Sequence, residues 1–171
     1  MKQTLSKLAP SDKQQESEQI VTKIAQFVRT SPEIKTIASY AAMPDEVNLD
    51  GLHSALPEIN FCYPLCGKNG QMNFYSVSAL SEMQTSRHGI REPSEHHHDL
   101  ISPEAIDLFL CPAYAYSPTG ERLGKGGGYY DRYLLKKRSE VMTLGIVFSC
   151  QIVTLTEIPI ESHDLIIDRI L

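Results

Sequence analysis

The chain is predicted to be an α/β protein, a three-layer sandwich with a largely parallel central sheet and helices on both faces. Three observations predict this class. Strand-like apolar runs alternate with helix-like segments along the chain, as in a sheet whose strands are joined by helical crossovers. VMTLGIVF, 141–148, is a continuous apolar run of the kind buried on both faces of a sheet. A glycine-rich stretch follows the 105–111 strand, at the sheet edge where such folds carry functional loops.

The elements follow in order. SDKQQESEQIVTKIAQFVRT, 11–30, sets Ile20, Ile24, Phe27 and Val28 on one helical face, with Ser11 available as N-cap. TIASYAA, 36–42, is β-like, and Leu49, Leu52 and Leu56 then fall at helical spacing. Ile59 to Tyr63 is strand-like and is expected to end at Pro64. GKNG is expected to close a hairpin onto a second strand, Met72 to Val77. Ser78 to Ser102 is polar and irregular, with GIREPSEHHHD at its centre, and is expected to be a long loop over one edge. Ala105 to Cys111 returns to a strand, Tyr129 to Arg138 reads as a short helix, and Leu165 to Leu171 closes with a short strand. No repeat or linker divides the chain, so residues 1–171 are expected to form one domain.

Composition bounds the function. The formal charge is −5 and no basic stripe with interleaved aromatics is present, which argues against nucleic acid as partner. No apolar run approaches the roughly 20 residues needed to span a bilayer. MKQTLSKLAPSDKQQ lacks the apolar core of a signal peptide, so a soluble, cytoplasmic protein is expected. The four cysteines (Cys62, Cys66, Cys111 and Cys150) lack a second pair at zinc-ribbon spacing, and buried or inert thiols are expected. His96, His97 and His98 sit in a polar stretch without a fourth ligand at recognisable spacing. At extended geometry their side chains would point alternately apart, so no metal site is expected there.

The densest chemistry lies in RLGKGGGYYDRYLL, 122–135. Clustered glycine is costly on folding unless the backbone needs positive φ or close approach to a ligand. The two familiar phosphate loops do not match. GERLGK has three residues between its glycines where a P-loop has four, and Lys125 precedes glycine rather than a hydroxyl. Gly124, Gly126, Gly127 and Gly128 are spaced too tightly for the dinucleotide fingerprint. The underlying physics still points to an anion: successive glycines let N–H groups converge in a nest, and Arg122 and Lys125 add fixed positive charge. Asp131, just inside the helix start, suits Mg²⁺ as a hard oxygen ligand, or else meets the helix dipole.

CPAYAYSPTGERLGKGGGYYDRYL resembles the signature of the 5-formyltetrahydrofolate cyclo-ligase family, roughly P-G-x-x-F-D-x-x-G-x-R-L-G-x-G-x-G-Y-Y-D-x-x-L. MPDEV, MNF, GIREP and SHDLIID occur in family order, so the resemblance covers most of the chain. It implies an ATP- and Mg²⁺-dependent enzyme that converts 5-formyltetrahydrofolate to 5,10-methenyltetrahydrofolate. Transfer of the γ-phosphoryl group to the formyl oxygen would give an iminophosphate, from which phosphate leaves after attack by the folate's anilino nitrogen. The protein's task would be positioning and charge neutralisation.

By this similarity Arg122, Leu123, Gly124, Lys125, Gly126, Gly127, Gly128, Tyr129 and Tyr130 would line the ATP phosphates, with the 125–129 segment also touching folate. Arg122 would stabilise charge on the transferred group, and Tyr130 would bond the formyl or phosphate oxygen or else pack under the turn. Asp131 and Asp164 match the family's magnesium-associated acids; a helix-start dipole partner and a turn cap are their other readings. Glu46 matches the acid that meets the pterin. Met72 and Phe74 occupy the M-x-F segment, as pocket wall or as ordinary core. Glu92 and Pro93 would shape the pocket rim. Three departures stand out. Ser117 replaces a common Asp, Ala113 replaces a common Gly, and the family's N-terminal K-x-x-x-R has no clear counterpart beyond Lys2 or Lys7. A monomer is expected. Two alternatives stay open on the residues alone: a non-catalytic folate- or nucleotide-binding module, and an enzyme resembling sugar-phosphate isomerases or CoA transferases. Arg122→Ala is expected to lower turnover strongly while leaving the fold intact, and Asp131→Asn to weaken Mg²⁺ dependence.

Overall fold

The computed structural model describes residues 8–67, 70–86, 89–158 and 165–171. Helix α1 is Pro10–Arg29. Ala9, not Ser11, is its extended N-cap, and Pro10 takes the first turn, where its fixed φ and missing N–H cost nothing. Ile20, Ile24 and Val28 are buried as the periodicity requires. Ser17 is buried with them: its hydroxyl donates to the Lys13 carbonyl at 2.7 Å and accepts from the Asn48 N–H at 3.1 Å, tying the following loop to the helix.

The central sheet has seven strands. They are β1 (Thr36–Ala38), β2 (Asn60–Cys66), β3 (Met72–Ser76), β6 (Leu100–Ile101), β7 (Leu108–Pro112), β10 (Met142–Ile146) and β11 (Arg169–Ile170), in the order β11-β10-β7-β1-β2-β3-β6. From β11 to β2 every pairing is parallel; β3 is antiparallel to both its neighbours. Side-chain alternation divides the core in two. Ile37, Phe61, Tyr63, Leu108, Leu110, Leu144 and Ile146 face α1 and the short helix α2 (Leu52–Ala55). Ala38, Cys62, Phe74, Phe109 and Cys111 face helix α3 (Tyr129–Leu134), which contributes Tyr133 and Leu134. This is the predicted three-layer α/β arrangement.

Some boundaries differ from expectation. β2 does not end at Pro64 but runs on to Cys66. Along β2 the Cys62 carbonyl accepts from Ser39 on the β1 side, whereas the Gly67 N–H donates to Gln71 on the β3 side. Strand alternation therefore turns Pro64 toward the β1 side, where β1 has ended at Ala38 and no hydrogen bond is lost. The 78–102 stretch is not a plain loop. It carries a hairpin of β4 (Gln84–Thr85) and β5 (Arg91–Glu92), and β6 then joins the sheet edge. A second hairpin, β8 (Ala115–Tyr116) with β9 (Arg122–Leu123), precedes the glycine turn. Two-residue strands are too short to leave a period in the sequence. The histidines lie in a turn, where His97 and His98 N–H groups donate to the Ser94 carbonyl, not in extended chain.

Among the described residues no helix is long and apolar enough to cross a membrane. The cysteines are all free; Cys62 and Cys111 are buried, Cys150 is half-buried and Cys66 is exposed.

Candidate active site at the carboxyl edge of the sheet

Parallel strands that stop at staggered points leave a crevice beyond their carboxyl ends. Here it is a cavity of about 180 Å³. Tyr40 and Ala41, just past β1, Pro64 and Cys66 at the end of β2, and Pro112 at the end of β7 form its floor. The β2–β3 register places Met72 opposite Cys66, so Met72 joins the wall. Ile90, Arg91 and Glu92 close one side from the β4–β5 hairpin, and Gly124, Lys125, Gly127, Gly128, Tyr129 and Tyr130 close the other. The lining is apolar with a few convergent charges, the usual make-up of a small-molecule site.

Each cation of the lining is held by a carboxylate. Arg91 Nη2 donates to both oxygens of Asp50 at 2.7 and 2.9 Å, anchoring the β4–β5 hairpin to the segment before α2. Lys125 Nζ reaches across the mouth to Glu46 Oε1 at 2.7 Å and lies 3.5 Å from Asp45. Glu46 is aimed by its own turn: its Oε2 accepts the Met43 N–H at 2.9 Å, and its side chain is only 8% exposed. Arg122 Nη2 donates to Asp131 Oδ2 at 2.6 Å in a pair that is nearly buried, with side chains 7% and 16% exposed. Burial opposes the Arg122 charge, but the Asp131 hydrogen bond and the surrounding acidic groups outweigh it and hold its pKa above the ordinary value.

Among the described residues, two buried donors on this lining have no partner: Arg122 Nε and the Tyr130 hydroxyl. Unsatisfied buried polar groups are rare in folded proteins and cost roughly 1–3 kcal/mol each. A bound ligand with acceptor oxygens would satisfy both. Burial, then the nearby Cys111, Glu46 and Tyr40, push the Tyr130 pKa well above the ordinary phenol value, so this group is a proton donor in hydrogen bonds and not a base. Arg122 also lies beside the Tyr130 ring, 5.5 Å from its centroid, which keeps the two donors adjacent.

Most of the predicted site residues converge here; others do not. Glu46, Met72, Arg122, Gly124, Lys125, Gly127, Gly128, Tyr129 and Tyr130 line the cavity. Leu123 is instead paired with Ala115 in the β8–β9 hairpin. Gly126 has φ +84° and nothing within 4 Å of where a Cβ would stand, so it is a turn residue open to its surroundings. Phe74 belongs to the core: it is fully buried, with ring centroids 4.9 Å from Tyr133 and 6.0 Å from Phe109. Met72 and Phe74 point to the same face of β3, but only Met72 is far enough along the strand to reach the cavity. Glu92 lines it and Pro93 does not. Asp131 stands behind Arg122, with Oδ2 engaged and Oδ1 left for another ligand. One carboxylate oxygen suits Mg²⁺, which binds few protein carboxylates and completes its shell with phosphate and water. Asp164 and the candidate cations Lys2 and Lys7 lie outside the described residues. Among the described residues no cluster of three or more His, Cys, Asp or Glu could hold a metal.

Tyr40, Met43, Cys66 and Arg91 were not singled out in the sequence reading. Met43 and Arg91 lie within MPDEV and GIREP but are not the residues that stood out there, and Tyr40 and Cys66 reach the cavity only through the ends of β1 and β2. Ser117, a departure from the family's Asp, is fully buried and does an aspartate's work in the β8–β9 turn. Its hydroxyl accepts the Thr119 and Glu121 N–H groups at 3.1 and 3.2 Å and bonds the Glu121 carboxylate.

A mainly parallel sheet with a part-apolar, part-cationic cavity at its carboxyl edge defines an α/β small-molecule protein with an anion-suited glycine turn. The comparisons narrow the class: residues 1–171 match the 5-formyltetrahydrofolate cyclo-ligase family, and the chain belongs to it. The 5-formyltetrahydrofolate cyclo-ligase of Mycoplasma genitalium is 29% identical over 154 residues, covering 88% of this chain and 82% of that protein. The mitochondrial 5-formyltetrahydrofolate cyclo-ligase of Arabidopsis thaliana is 30% identical over 118 residues; the match spans 60% of this chain and 43% of the plant protein's length. Among solved structures, a 5,10-methenyltetrahydrofolate synthetase from Mycoplasma pneumoniae superposes with a TM-score of 0.80 at 27% identity, covering 99% of this chain and 93% of that one.

Proposed function

We propose that this chain converts 5-formyltetrahydrofolate to 5,10-methenyltetrahydrofolate with consumption of ATP and release of ADP and phosphate. The observation that carries this reading is the pair of unpartnered buried donors, Arg122 Nε and Tyr130 OH, on a cavity that the family's glycine motif encloses. A formamide oxygen is a poor leaving group. Once it accepts the γ-phosphoryl group, the anilino nitrogen attacks the formyl carbon, loses its proton, and phosphate departs with the oxygen.

The chain's part is to hold these groups in line and stabilise charge. Lys125 and the N–H groups of the glycine turn receive the phosphates, exchanging the Lys125–Glu46 contact for the ligand. Glu46, freed of Lys125 but still held at Oε2 by Met43, accepts hydrogen bonds from the pterin's N–H edge. Met72 and Pro64 supply flat apolar wall. Arg122 Nε and Tyr130 OH donate to oxygens at the transfer centre, Arg122 with its Nη2 anchored on Asp131. Mg²⁺, when bound, would neutralise phosphate charge from Asp131 Oδ1 and Asp164.

The test is direct. Folded protein incubated with 5-formyltetrahydrofolate and MgATP should develop methenyltetrahydrofolate absorbance, and should not when ATP is omitted. Absence of product at high enzyme concentration would overturn the assignment.

A further inference from the structure

Arg132 takes no part in the chemistry above, yet it grips the glycine turn from outside. It lies on α3 and is not among the residues lining the cavity. Its Nε and Nη2 donate to the Gly70 carbonyl at 3.2 and 3.1 Å, and Nη2 also donates to the Gly127 carbonyl. The guanidinium carbon sits 5.7 Å from the Tyr129 ring centroid. One planar fork thus joins the turn between β2 and β3 to the glycine turn, two loops distant in sequence.

The glycines around this fork make room for it. A Cβ on Gly70, which has φ +72°, would fall 2.2 Å from Arg132 Nη2. A Cβ on Gly128, at φ +60°, would fall 2.7 Å from Nη1. Gly128, within the glycine-rich stretch, thus leaves space for the Arg132 fork while taking a left-handed turn conformation. The consequence for the ligand comes through peptide planarity. In a trans peptide the Gly127 C=O and the Gly128 N–H lie in one plane and point in opposite directions. With the carbonyl drawn outward by the guanidinium, the Gly128 N–H is held facing away from Arg132, and the carbonyl oxygen is kept from facing an anion.

We infer that Arg132 is a positioning residue: it sets the Gly127–Gly128 peptide for a phosphate-bearing ligand and locks that turn to the β2–β3 wall that carries Met72. The inference rests on the phosphate-binding role proposed above for the turn. Lysine is no substitute, because an ammonium cannot present a planar fork to two carbonyls.

Hydrogen exchange over 124–128 in the ligand-free protein, with steady-state kinetics in MgATP, tests this. Arg132→Ala should speed exchange of the turn and raise KM for MgATP about tenfold or more, with a much smaller change in kcat. Methylguanidinium should restore part of the loss, and Arg132→Lys should keep most of the defect. Gly70→Ala, at a residue outside the cavity lining, should displace the fork and reproduce the defect. The Gly70→Ala/Arg132→Ala pair should then be no worse than either change alone. Wild-type exchange and KM in folded Arg132→Ala would overturn the inference, as would a fall in kcat with KM untouched. If Arg132→Ala does not fold, Arg132→Lys and Gly70→Ala decide it by the same readouts. MgATP binding that depends on Arg132 in a protein without cyclo-ligase turnover would remove the proposed reaction and leave this role standing. No MgATP binding by the wild-type chain would remove this role.

Discussion

Arg122 is tied into the fold as firmly as into the site. Its side chain is 7% exposed and bound to Asp131, itself 16% exposed. Removing one partner of such a pair leaves the other buried and uncompensated, which typically costs about 3–5 kcal/mol. The expectation that Arg122→Ala would spare the fold is therefore corrected. The variant should lose turnover and also show a clearly lower denaturation midpoint, whereas Arg122→Ala/Asp131→Ala should recover part of that stability without recovering activity. Equilibrium denaturation of the three variants checks this; a wild-type midpoint for Arg122→Ala would show the pair to be energetically idle. Asp131→Asn carries the same complication, so a weaker Mg²⁺ dependence in that variant must be read beside its stability.

At the scale of elements, α2 is a single turn that stays in place through contacts rather than propensity. His53 secures it: its ring stacks on Phe61 of β2 at 4.4 Å, and Nε2 shares a hydrogen bond with the Tyr63 hydroxyl at 2.9 Å. Burial lowers the His53 pKa, and the nearby Asp50 only partly counters it. A histidine with a depressed folded pKa favours the neutral form in the native state. Its contribution to stability is present above the unfolded value of about 6.5 and is lost as pH falls from there through the folded pKa. Wild-type protein should accordingly lose stability on going from pH about 7.5 to about 5.5. His53→Gln should flatten that part of the profile, as read from chemical denaturation at each pH. An equal slope in both proteins would assign the pH dependence elsewhere.

Across the whole molecule, the cavity and a carboxylate clamp sit at opposite ends of the same strands. The cavity lies beyond the carboxyl ends of β1, β2 and β7. At the amino ends, Asp107 Oδ2 accepts the Lys35 and Thr36 N–H groups at 2.9 Å each, and Oδ1 accepts Arg138 Nη2 at 2.9 Å. This one carboxylate joins the starts of β1 and β7 to the chain after α3. Asp107→Asn should cost about 2 kcal/mol of stability, while KM for both substrates stays at the wild-type value. A changed KM would mean that the two ends of the sheet communicate.

How much of this was legible before the structure depended on how local each signal is. The 122–130 stretch concentrates glycine, cation and aromatic residues in one run, and most of it reaches the cavity as read. Strands β7 and β10 were legible because burial on both faces leaves unbroken apolar runs. Phe74 stayed open between wall and core because core and pocket lining have the same composition, and only the register against β2 separates it from Met72. The hairpins β4–β5 and β8–β9 were too short to leave a pattern, and Arg132 carried no motif beyond its place after Asp131. By itself, then, the amino-acid sequence determined the fold class, the succession of the main strands along the chain and the make-up of the glycine turn, all of which rest on residues adjacent along the chain. Only the tertiary structure decided which carboxylate holds which cation, which buried donors are left for a ligand, and that Arg132 bridges two loops. Those outcomes depend on distances between segments far apart in sequence, which local propensity does not encode.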